Sequence, residues 1–551
     1  MRDQSRGSAR FGGEGGSARE SVLAASRGAF VALLTASLLL GGCASLPRDV
    51  PRTPSAAVPA SPDTALGRIA FAAAAGKDPA LSGFRLISWS EQSFAARLAL
   101  VARAQRTLDL QYYVFDDDGT GRTLARALRD AAARGVRVRL LLDDLYTGGH
   151  DPLFLGLAAH PNVEVRLFNP FMVRFESVGA RVAASLFDFG RLNHRMHNKL
   201  FIADGAMAMA GGRNIGDEYF MAHQGANYID LDVFAVGAVL PTLQRLFDLY
   251  WNSEHVYPLE SIVAPSAPAE ERRRHFEQAT LGPGGPTLPG PGTKDQLGQL
   301  GIADQLGSGG LDLIWAPAQA FADSPDKVFG HSERILGKPV STDPTVRQSL
   351  MTELLLARRE VLISSPYLVP DRSVMEDIAT GRLWNLSISV ITNSLASTDE
   401  PLVHAGYQRY RTEMLDLGVR LYEVAPSRIQ RSQKLGSFGR SIGRFHAKTA
   451  AIDGERMFIG SLNFDPRSEK HNTELGFLIH SPELTGQLLQ LADLVINEAS
   501  FRVRLGPDRK GLEWHIRTAE GEQVFTEEPD TTWWQRTMLH LVGPFVPEGQ
   551  L

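Results

Sequence analysis

One residue pattern occurs twice in this chain of 551 residues, and its residue types suit chemistry on a phosphodiester. Each copy has a His and a Lys two residues apart, followed by an Asp and then an Asn. The same number of residues separates every equivalent pair. A lone His-x-Lys is a weak signal, but the repetition of the full pattern is not a chance event. The copies are His197, Lys199, Asp204 and Asn214, and His446, Lys448, Asp453 and Asn463.

These side chains match what phosphodiester chemistry needs. One His attacks phosphorus as a neutral imidazole and forms a phospho-histidine, while the other protonates the leaving alkoxide and then activates an acceptor hydroxyl. A pKa near ~6.5 makes both forms of imidazole accessible at neutral pH. The Lys ammonium groups neutralise the phosphate, and other side chains donate hydrogen bonds to its oxygens. The predicted phosphate-binding residues are Asn214, Ser461 and Asn463. Because no residues here have metal-ligand spacing, we expect no metal and no other cofactor.

Each motif contains a hairpin signal. Asp204-Gly205 and Asp453-Gly454 lie between apolar runs, which predicts a two-residue turn. Counting back from such turns places a small residue opposite each His, where it leaves room for a phosphate. The predicted pairs are Gly212 with His197 and Ser461 with His446.

The two motif aspartates, Asp204 and Asp453, have two interpretations. They are catalytic members of the motif, or they form the turns. A turn lies about seven residues, ~23 Å, along the strand from the His, which favours the turn interpretation.

Residues around the motifs resemble the phospholipase D superfamily. Phe464–Ser468 and Asn472–Glu474 are similar to a run in bacterial cardiolipin synthases, and Gly211–Tyr219 resembles the C branch of that family. The resemblance covers roughly residues 80–260 and 310–550. It implies phosphatidyl transfer between glycerophospholipids through a covalent phospho-histidine.

The resemblance also implies roles for single residues. The first-motif His is usually the nucleophile in this superfamily, which assigns His197 as nucleophile and His446 as general acid and base. Acidic residues downstream of each motif orient the His rings. Glu474 matches that position in the second copy, while Asp230 is the best match in the first copy and Asp232 competes with it.

The duplication extends to the elements around the motifs. Val163–Phe168 and Val419–Val424 read as equivalent strands, and Gly119–Gly135 has the spacing of a helix with a C-terminal glycine. Repeated strand and helix patterns predict an α/β fold of two phospholipase D-like sandwich lobes, each a mixed sheet flanked by helices, with the active site between them. The predicted segments are lobe 1 at 76–263 (motif 191–218), a Gly/Pro-rich insertion at 264–310, and lobe 2 at 311–551 (motif 440–467).

The N-terminus predicts export and lipidation. The uncharged run Ala29–Gly42 is too short to span a bilayer but suits a signal peptide over 1–42. Leu40–Cys43 resembles a bacterial lipobox, which implies a lipid anchor on Cys43, the only cysteine. Residues 43–75 are Pro-rich and are expected to form an extended tether. Ala44 after the cysteine favours the periplasmic face of the outer membrane in the bacterial cell envelope.

Charge and location restrict the molecules that the protein is expected to bind. The formal net charge of −5 gives no global attraction to nucleic acid. We expect a phospholipid substrate of the phosphatidylglycerol or phosphatidylethanolamine class, contact with the membrane through the anchor, and no nucleic acid; an accessory protein remains open. The alternatives are a phospholipase D-type hydrolase, a periplasmic phosphodiesterase or nuclease, and a lipoprotein that keeps only the fold.

Overall fold

A computed structural model places the repeated motifs on two large mixed β-sheets. Each sheet has helices packed on it, so the predicted α/β architecture with an internal duplication is confirmed. The signal peptide and Cys43 lie outside the described residues. The structure describes residues 46–47, 49–185, 188–282, 284–329, 344–380, 386–432, 434–436, 438–509, 511–518 and 521–547.

The first sheet has nine strands in the order β10-β1-β8-β6-β5-β2-β3-β4-β9. The pairs β2–β3 and β3–β4 are parallel and the other pairs are antiparallel. Strand β7 lies outside this sheet. The strands are β1 (Ser82–Ile87), β2 (Thr107–Tyr112), β3 (Arg137–Asp143), β4 (Val163–Phe168), β5 (Leu200–Ala203), β6 (Met207–Gly211), β7 (Ala226–Ile229), β8 (Asp232–Gly237), β9 (Val256–Pro258) and β10 (Ile314–Ala316).

The helices of the first half lie between these strands. One of them, α3, shows how the sequence specifies its ends. Its N-cap Asp118 accepts a hydrogen bond from the amide of Gly121, and Gly135 follows its end with a φ of 95°. The helices are α1 (Ala65–Ala74), α2 (Ser90–Arg103), α3 (Gly119–Ala133), α4 (Asp151–Ala158), α5 (Val178–Ala184), α6 (Phe189–Leu192), α7 (Leu240–Trp251), α8 (Leu259–Ile262), α9 (Ala269–Thr280) and α10 (Ile302–Ser308).

The second sheet has ten strands in the order β11-β18-β17-β16-β12-β13-β14-β19-β20-β21. Its β12–β13 and β13–β14 pairs are parallel, like β2–β3 and β3–β4 of the first sheet. The strands are β11 (Ala318–Ala322), β12 (Glu360–Ser364), β13 (Ser387–Asn393), β14 (Arg420–Val424), β15 (Ile442–Phe445, outside this sheet), β16 (Thr449–Ile452), β17 (Arg456–Gly460), β18 (Leu475–His480), β19 (Ser500–Leu505), β20 (Leu512–Thr518) and β21 (Gly521–Phe525).

The helices of the second half complete the sandwich. No helix among the described residues is both long and apolar enough to cross a bilayer. The helices are α11 (Val346–Leu355), α12 (Arg372–Ala379), α13 (Pro401–Asp416), α14 (Pro426–Arg431), α15 (Pro466–Lys470), α16 (Pro482–Ala499) and α17 (Trp533–Val542).

One hydrophobic core extends through both lobes. It includes Phe84 of β1 and Phe477 of β18, whose rings meet edge to face with centroids 6.4 Å apart. Helix α16 also belongs to it, because Leu484 and Leu488 are buried there. Burial of apolar surface between the lobes fixes their relative position, which a site assembled from both lobes requires.

Three predicted segments differ from the structure. The expected tether at 43–75 contains helix α1, whose Leu66 is fully buried in the lobe 1 core, and Arg52 donates a hydrogen bond to the carbonyl of Val256. The Gly/Pro-rich insertion at 264–310 contains two helices, α9 and α10. Lobe 2 does not begin at residue 311, because β10 pairs with β1 in the first sheet. Leu66 of α1 and Phe276 of α9 are buried in the lobe 1 core, which explains why these two helices are ordered.

The motif hairpins have the predicted turns but a different register. Asp204 and Gly205 both have positive φ, and the amide of Ala206 donates to the carbonyl of Ala203. In the ladder, however, Ala203 pairs with Met207, so one extra residue follows the turn. The second hairpin has the same shift, since Ile452 pairs with Arg456. The prediction of Gly212 opposite His197 and of Ser461 opposite His446 is therefore wrong.

The carboxylates of the two turn aspartates hold the start of a neighbouring strand. Asp204 accepts hydrogen bonds from the amides of Gln105, Arg106 and Thr107 at 2.7–3.1 Å. Asp453 accepts them from the amides of Arg358, Arg359 and Glu360 at 2.8–3.1 Å. This network also explains the extra residue, because it ties each turn to the adjacent strand as well as to its own hairpin.

Replacing a turn aspartate is expected to lower stability. Asp204 is fully buried, so Asp204→Ala leaves three amides without an acceptor and should lower the free energy of unfolding by about 2–4 kcal/mol. Urea denaturation measures this loss, and Asp493→Asn on the exposed surface of α16 controls for charge. A loss in Asp204→Ala no larger than in the control contradicts the structural role.

The Asp453 turn should also show a pH dependence. Burial alone would raise the pKa of Asp453, but the three amides outweigh it and hold the pKa below its usual value. A lowered folded-state pKa stabilises the fold above the unfolded value and loses that stabilisation as the pH falls through the folded value. The stability difference between wild type and Asp453→Ala should therefore shrink below about pH 4.

Candidate active site

Short stretches of backbone pairing between the lobes place each motif His. Strand β15 of lobe 2 runs parallel to β7 of lobe 1, with Phe445 opposite Ile229, and the amide of His446 then donates to the carbonyl of Ile229 at 2.8 Å. On the other side, Met196 forms a parallel bridge with Thr473, and the amide of His197 donates to the carbonyl of Thr473 at 2.9 Å. Each His therefore lies beside the chain that leads to the acidic residue of the opposite lobe.

The two His–carboxylate pairs consequently cross between the lobes. Nδ1 of His446 lies 2.6 Å from Oδ2 of Asp230, and Nδ1 of His197 lies 2.9 Å from Oε2 of Glu474. All four side chains are buried. A carboxylate on Nδ1 fixes the orientation of the ring and leaves Nε2 as the nitrogen for chemistry. Asp230 and Glu474, which the sequence analysis named as candidate partners of the His rings, thus each contact the His of the other lobe.

Asp232, the competitor of Asp230, belongs to a different network. Its Oδ2 lies 3.0 Å from Nη1 of Arg97 and 3.4 Å from Nη1 of Arg213, and it also accepts a hydrogen bond from Ser93. These groups are buried. Asp232 therefore neutralises buried arginines beside the site, and Asp230 is the partner of the imidazole.

Both motif lysines are buried, and each head group turns back on its own chain. Nζ of Lys199 donates to the carbonyl of His197, and Nζ of Lys448 donates to the carbonyl of His446, both at 2.7 Å. Nζ of Lys448 also lies 3.1 Å from Nε2 of His446. Burial lowers the pKa of Lys448 to about 8 and holds the pKa of Lys199 well below its usual value. A bound phosphate would favour the charged form of both ammonium groups.

The two acidic residues differ in charge although they hold equivalent positions. Burial raises the pKa of Glu474 to about 7, and Lys199 opposes this only in part. Burial would also raise the pKa of Asp230, but His446 and Lys448 outweigh it and lower the value to about 2. Asp230 is thus fully ionised at neutral pH, whereas Glu474 is near its midpoint.

Both imidazoles favour the neutral form. Burial, Lys199 and Lys448 lower the pKa of His197 well below its usual value. Burial and Lys448 also lower the pKa of His446, but there the carboxylate of Asp230 opposes the shift. Of the two rings, His446 is the one with a dedicated anion to stabilise its protonated form.

The small residues of the motifs contact the acidic residues instead of leaving room for a phosphate. A Cβ on Gly212 would lie 2.1 Å from Oδ1 of Asp230, so only glycine fits beside that carboxylate. At the equivalent position, the Ser461 hydroxyl donates to Oε2 of Glu474 and accepts from the amide of Leu475. The Ser461 hydroxyl is thus engaged by the protein in the ligand-free site, and its phosphate contact stays a prediction.

The two motif asparagines are placed differently. Oδ1 of Asn214 accepts from the amide of Val114, and its Nδ2 donates to the Tyr219 hydroxyl at 2.8 Å. Its phosphate contact stays a prediction. Oδ1 of Asn463 is buried without a hydrogen-bond partner among the described residues. Because this oxygen is an acceptor, it does not itself bind a phosphate oxygen, and the phosphate contact of Asn463 stays a prediction.

Asp204 and Asp453 lie at the turns and not at the imidazoles. Their carboxylates are occupied by the backbone amides described above. The inclusion of these aspartates among the catalytic residues is corrected, and the turn interpretation agrees with their contacts.

Tyrosines that the sequence analysis did not identify pack against both imidazole rings. Tyr113 meets His197 edge to face at 4.9 Å, and Tyr219 and Tyr228 lie 5.4 and 4.8 Å from His446. Tyr113 directly follows the end of β2, and Tyr367 follows the equivalent strand β12. Aligning the two repeats by their strand ends would have identified these tyrosines as candidates, because the carboxyl ends of parallel strands meet at one edge of a sheet.

One group among the described residues has donor atoms close enough to share a metal ion. It consists of Glu254, His255 and Asp326, with Nε2 of His255 already 3.0 Å from Oδ1 of Asp326. None of these three residues belongs to the repeated motifs or to the two His–carboxylate pairs.

Comparison with known proteins gives the chain a family. The model of the cardiolipin synthase, PLD-like domain matches residues 98–251 and 350–494. The chain is 39% identical to cardiolipin synthase C of Escherichia coli strain K12 over 477 residues, which cover 84% of this chain and 95% of that protein. It is 30% identical to an uncharacterized protein of Helicobacter pylori strain ATCC 700392 / 26695 over 530 residues, covering 93% and 97% of the two chains.

A solved structure shares the fold. The crystal structure of phosphatidylserine synthase from Haemophilus influenzae Rd KW20 aligns with a TM-score of 0.53 and 13% identity, covering 85% of this chain and 95% of that one. At this identity the likeness concerns the fold alone, and it agrees with the predicted pair of phospholipase D-like lobes. Both halves of the duplication match the same family model. The chain therefore belongs to the cardiolipin synthase family of PLD-like domain proteins and carries that domain twice.

Proposed function

We propose that this protein is an enzyme that transfers a phosphatidyl group from one glycerophospholipid to a hydroxyl of another, as a cardiolipin synthase does. The observation that carries the proposal is the pair of His–carboxylate contacts that cross between the lobes, each with a buried lysine beside it. This arrangement supplies a nucleophile, an acid–base group and positive charge at one junction. The similarity to cardiolipin synthase C supports a phospholipid as the substrate.

The unequal charges of the two pairs support a division of labour. His197 is held in the neutral form that a nucleophile needs, and its partner Glu474 is near its midpoint at neutral pH. His446 has the ionised Asp230, which stabilises an imidazolium. We therefore assign His197 as the nucleophile and His446 as the general acid and base.

The reaction proceeds in two steps. In the first, Nε2 of His197 attacks phosphorus, the bond to the leaving alcohol breaks, and His446 gives that alkoxide a proton. In the second, the acceptor hydroxyl gives its proton to His446 and attacks phosphorus, and the phosphorus–nitrogen bond to His197 breaks. Water in place of the acceptor yields phosphatidic acid, so transfer and hydrolysis share the intermediate.

The lysines stabilise the charge that develops on the phosphate. Lys199 and Lys448 bind their own backbone carbonyls in the ligand-free site, within reach of the imidazoles. When either lysine side chain rotates from its backbone carbonyl to a phosphate oxygen, its ammonium group gains an anion as its partner. The anion raises the pKa of the lysine and so favours the charged form. Asn463 of the second motif is the further candidate for a phosphate contact, through the N–H groups of its side chain.

The proposal includes a location at the membrane. We propose that residues 1–42 are a signal peptide, that Cys43 carries the lipid anchor, and that the protein acts at the periplasmic face of the outer membrane. Phosphatidylglycerol and phosphatidylethanolamine are the proposed substrate classes. The net charge of −5 argues against the alternative of a nuclease.

Lipid analysis tests the activity. The full chain, expressed in a bacterium lacking its own cardiolipin synthases, should restore cardiolipin, and His446→Ala should not. Thin-layer chromatography and mass spectrometry of the lipids measure both. Free phosphatidic acid without cardiolipin indicates a hydrolase and rejects the synthase proposal. Identical lipids from both proteins reject catalysis at this site.

Trapping the intermediate tests the nucleophile. A phosphatidyl ester of p-nitrophenol has a leaving group that needs no proton, so His446→Asn should still form the adduct but lack the base that resolves it. We expect one equivalent of p-nitrophenol per enzyme and a phosphatidyl adduct on the peptide with His197, measured by mass spectrometry. The control, His197→Asn, should show neither. An adduct on His446 in that control would reverse the two roles.

The pH dependence tests the supporting carboxylates. Asp230→Asn removes the anion beside His446, lowers the pKa of the acid form and should move the alkaline limb of the kcat/KM profile to lower pH, with kcat about 10²–10⁴ lower. Glu474→Gln should move the acid limb to lower pH instead, because the neutral form of His197 is the active one. The profile of each purified variant measures the limbs. Equal shifts of one limb in both variants contradict the assignment.

A further inference from the structure

Helix α17 exposes an apolar face instead of burying it. A helix on the surface of a soluble protein normally turns its apolar side to the core and its polar side to water. Here six large apolar side chains on the helix or just after it are exposed, and the exposed fraction of Phe545 reaches 84%. We call them the α17 face: Trp533, Trp534, Met538, Leu541, Val542 and Phe545.

These side chains form one patch. With about 3.6 residues per turn, the five members within the helix fall on one half of its circumference. Phe545 lies in the short 3-10 turn Gly543–Phe545, which directly follows the helix. Single exposed apolar residues are normal on a soluble protein, whereas a continuous apolar patch marks a surface that binds a partner or a membrane.

The opposite side of α17 holds the helix on lobe 2. Leu539 is buried in a cluster with Leu395 and Ala405, the latter from α13. Arg409 of α13 donates a hydrogen bond to the carbonyl of Gly543 at the end of the helix. A capping box closes the start of the helix. The α17 face is therefore presented by a helix that is fixed to the fold.

The α17 face carries no charge. Residues 531–547 contain no Asp or Glu, and Arg536 is their only Lys or Arg. The guanidinium of Arg536 lies 2.7 Å from a carboxylate oxygen of Glu527 and donates to the carbonyl of Thr531. Such a face enters the interface of a bilayer without the cost of desolvating an ion. It also has no carboxylate that an anionic lipid surface would repel.

The residue types of the face fit a bilayer interface. Two adjacent Trp side chains begin it and Phe545 ends it, with aliphatic residues between them. Trp is enriched where hydrocarbon meets the lipid headgroups, because its ring is apolar and its N–H can still bind water or a headgroup. The ten residues of α17 are too few to cross a bilayer, which takes about 20, so the helix suits a position in the plane of the interface.

We propose that the α17 face docks the protein on the surface of a phospholipid bilayer, in addition to the proposed anchor on Cys43. The inference rests on the proposed function for its purpose, because glycerophospholipid substrates are held in a bilayer. Contact through a helix fixed to lobe 2 also orients the protein on that surface. A lipid attached to one residue fixes no orientation.

A fluorescent label tests the contact directly. Cys43 is the only cysteine, so the full-length chain with Cys43→Ser and Leu541→Cys has one thiol, on the α17 face, and no lipid. We label this thiol with the dye NBD and add vesicles of phosphatidylglycerol and phosphatidylethanolamine, with or without nitroxides on the acyl chains. Binding should shift the NBD emission to shorter wavelength, and the nitroxides should quench it. Labels at His540→Cys, outside the face on the same helix, and at Asp493→Cys on α16 should be quenched less.

Vesicle binding measures the strength of the contact. In the Cys43→Ser chain, Trp534→Gln together with Leu541→Gln should weaken co-sedimentation with these vesicles by about tenfold to a hundredfold, since two large apolar contacts are lost. The control Leu249→Gln removes an exposed leucine of lobe 1 and should leave binding unchanged. Turnover of a dissolved short-chain phospholipid should stay within about twofold in the double variant, because the active site is intact. Thermal unfolding shows whether each variant is folded, and the labelled chains decide the question if the double variant is not.

Other results overturn the proposal. An NBD label at residue 541 that vesicles neither shift nor quench excludes contact with lipid, and equal quenching at residues 541 and 493 means adsorption without this face. A change from dimer to monomer in the double variant, measured by light scattering and without loss of vesicle binding, assigns the face to a second copy of the chain. Wild type that transfers no phosphatidyl group on dissolved or vesicle lipid rejects the proposed function, whereas the label at residue 541 still reports docking.

Discussion

The site depends on backbone pairing between the lobes. Each motif His follows a segment that runs parallel to the chain of the other lobe, and its own amide donates to that chain. These few hydrogen bonds determine which carboxylate each ring meets, so a single lobe contains a His and an acidic residue that do not contact each other. The shared hydrophobic core then keeps the lobes from separating. A rigid junction suits a reaction that needs two imidazoles on opposite sides of one phosphorus atom.

The two halves of the duplication are similar, and small differences between them give their acidic residues different charges. Gly212 allows the short Asp230 to lie against the backbone, where the charges of its neighbours keep it ionised. Ser461 donates its hydroxyl to the longer Glu474, whose pKa burial still raises to about 7. Equivalent positions in the repeat therefore present an anion to one imidazole and a partly protonated acid to the other. That difference is what an ordered pair of nucleophile and proton carrier requires.

The sequence predicted those features whose cause is local. Strand β4 has the bounds expected from its apolar run, and Asp204-Gly205 forms the turn that its residue types favour. The register after that turn was wrong by one residue, because the carboxylate of Asp204 binds the start of a strand almost a hundred residues earlier in the chain. Counting residues along the chain from the turn cannot reveal a contact with a strand so distant in the sequence.

The crossing of the two pairs was beyond sequence reasoning for the same physical reason. Asp230 and Glu474 were recognisable as candidates from their positions after each motif, but the choice of partner depends on how two sheets face each other. The contacts of Asp399 are even harder to predict from the sequence, since hydroxyls from both lobes, those of Tyr228 and Tyr367, meet at one of its oxygens. The repeat shows which residues are equivalent, whereas the contacts across the junction depend on how the two lobes face each other. The geometry of such a site therefore depends on contacts such as those of Asp399 with Tyr228 and Tyr367, where the two lobes meet.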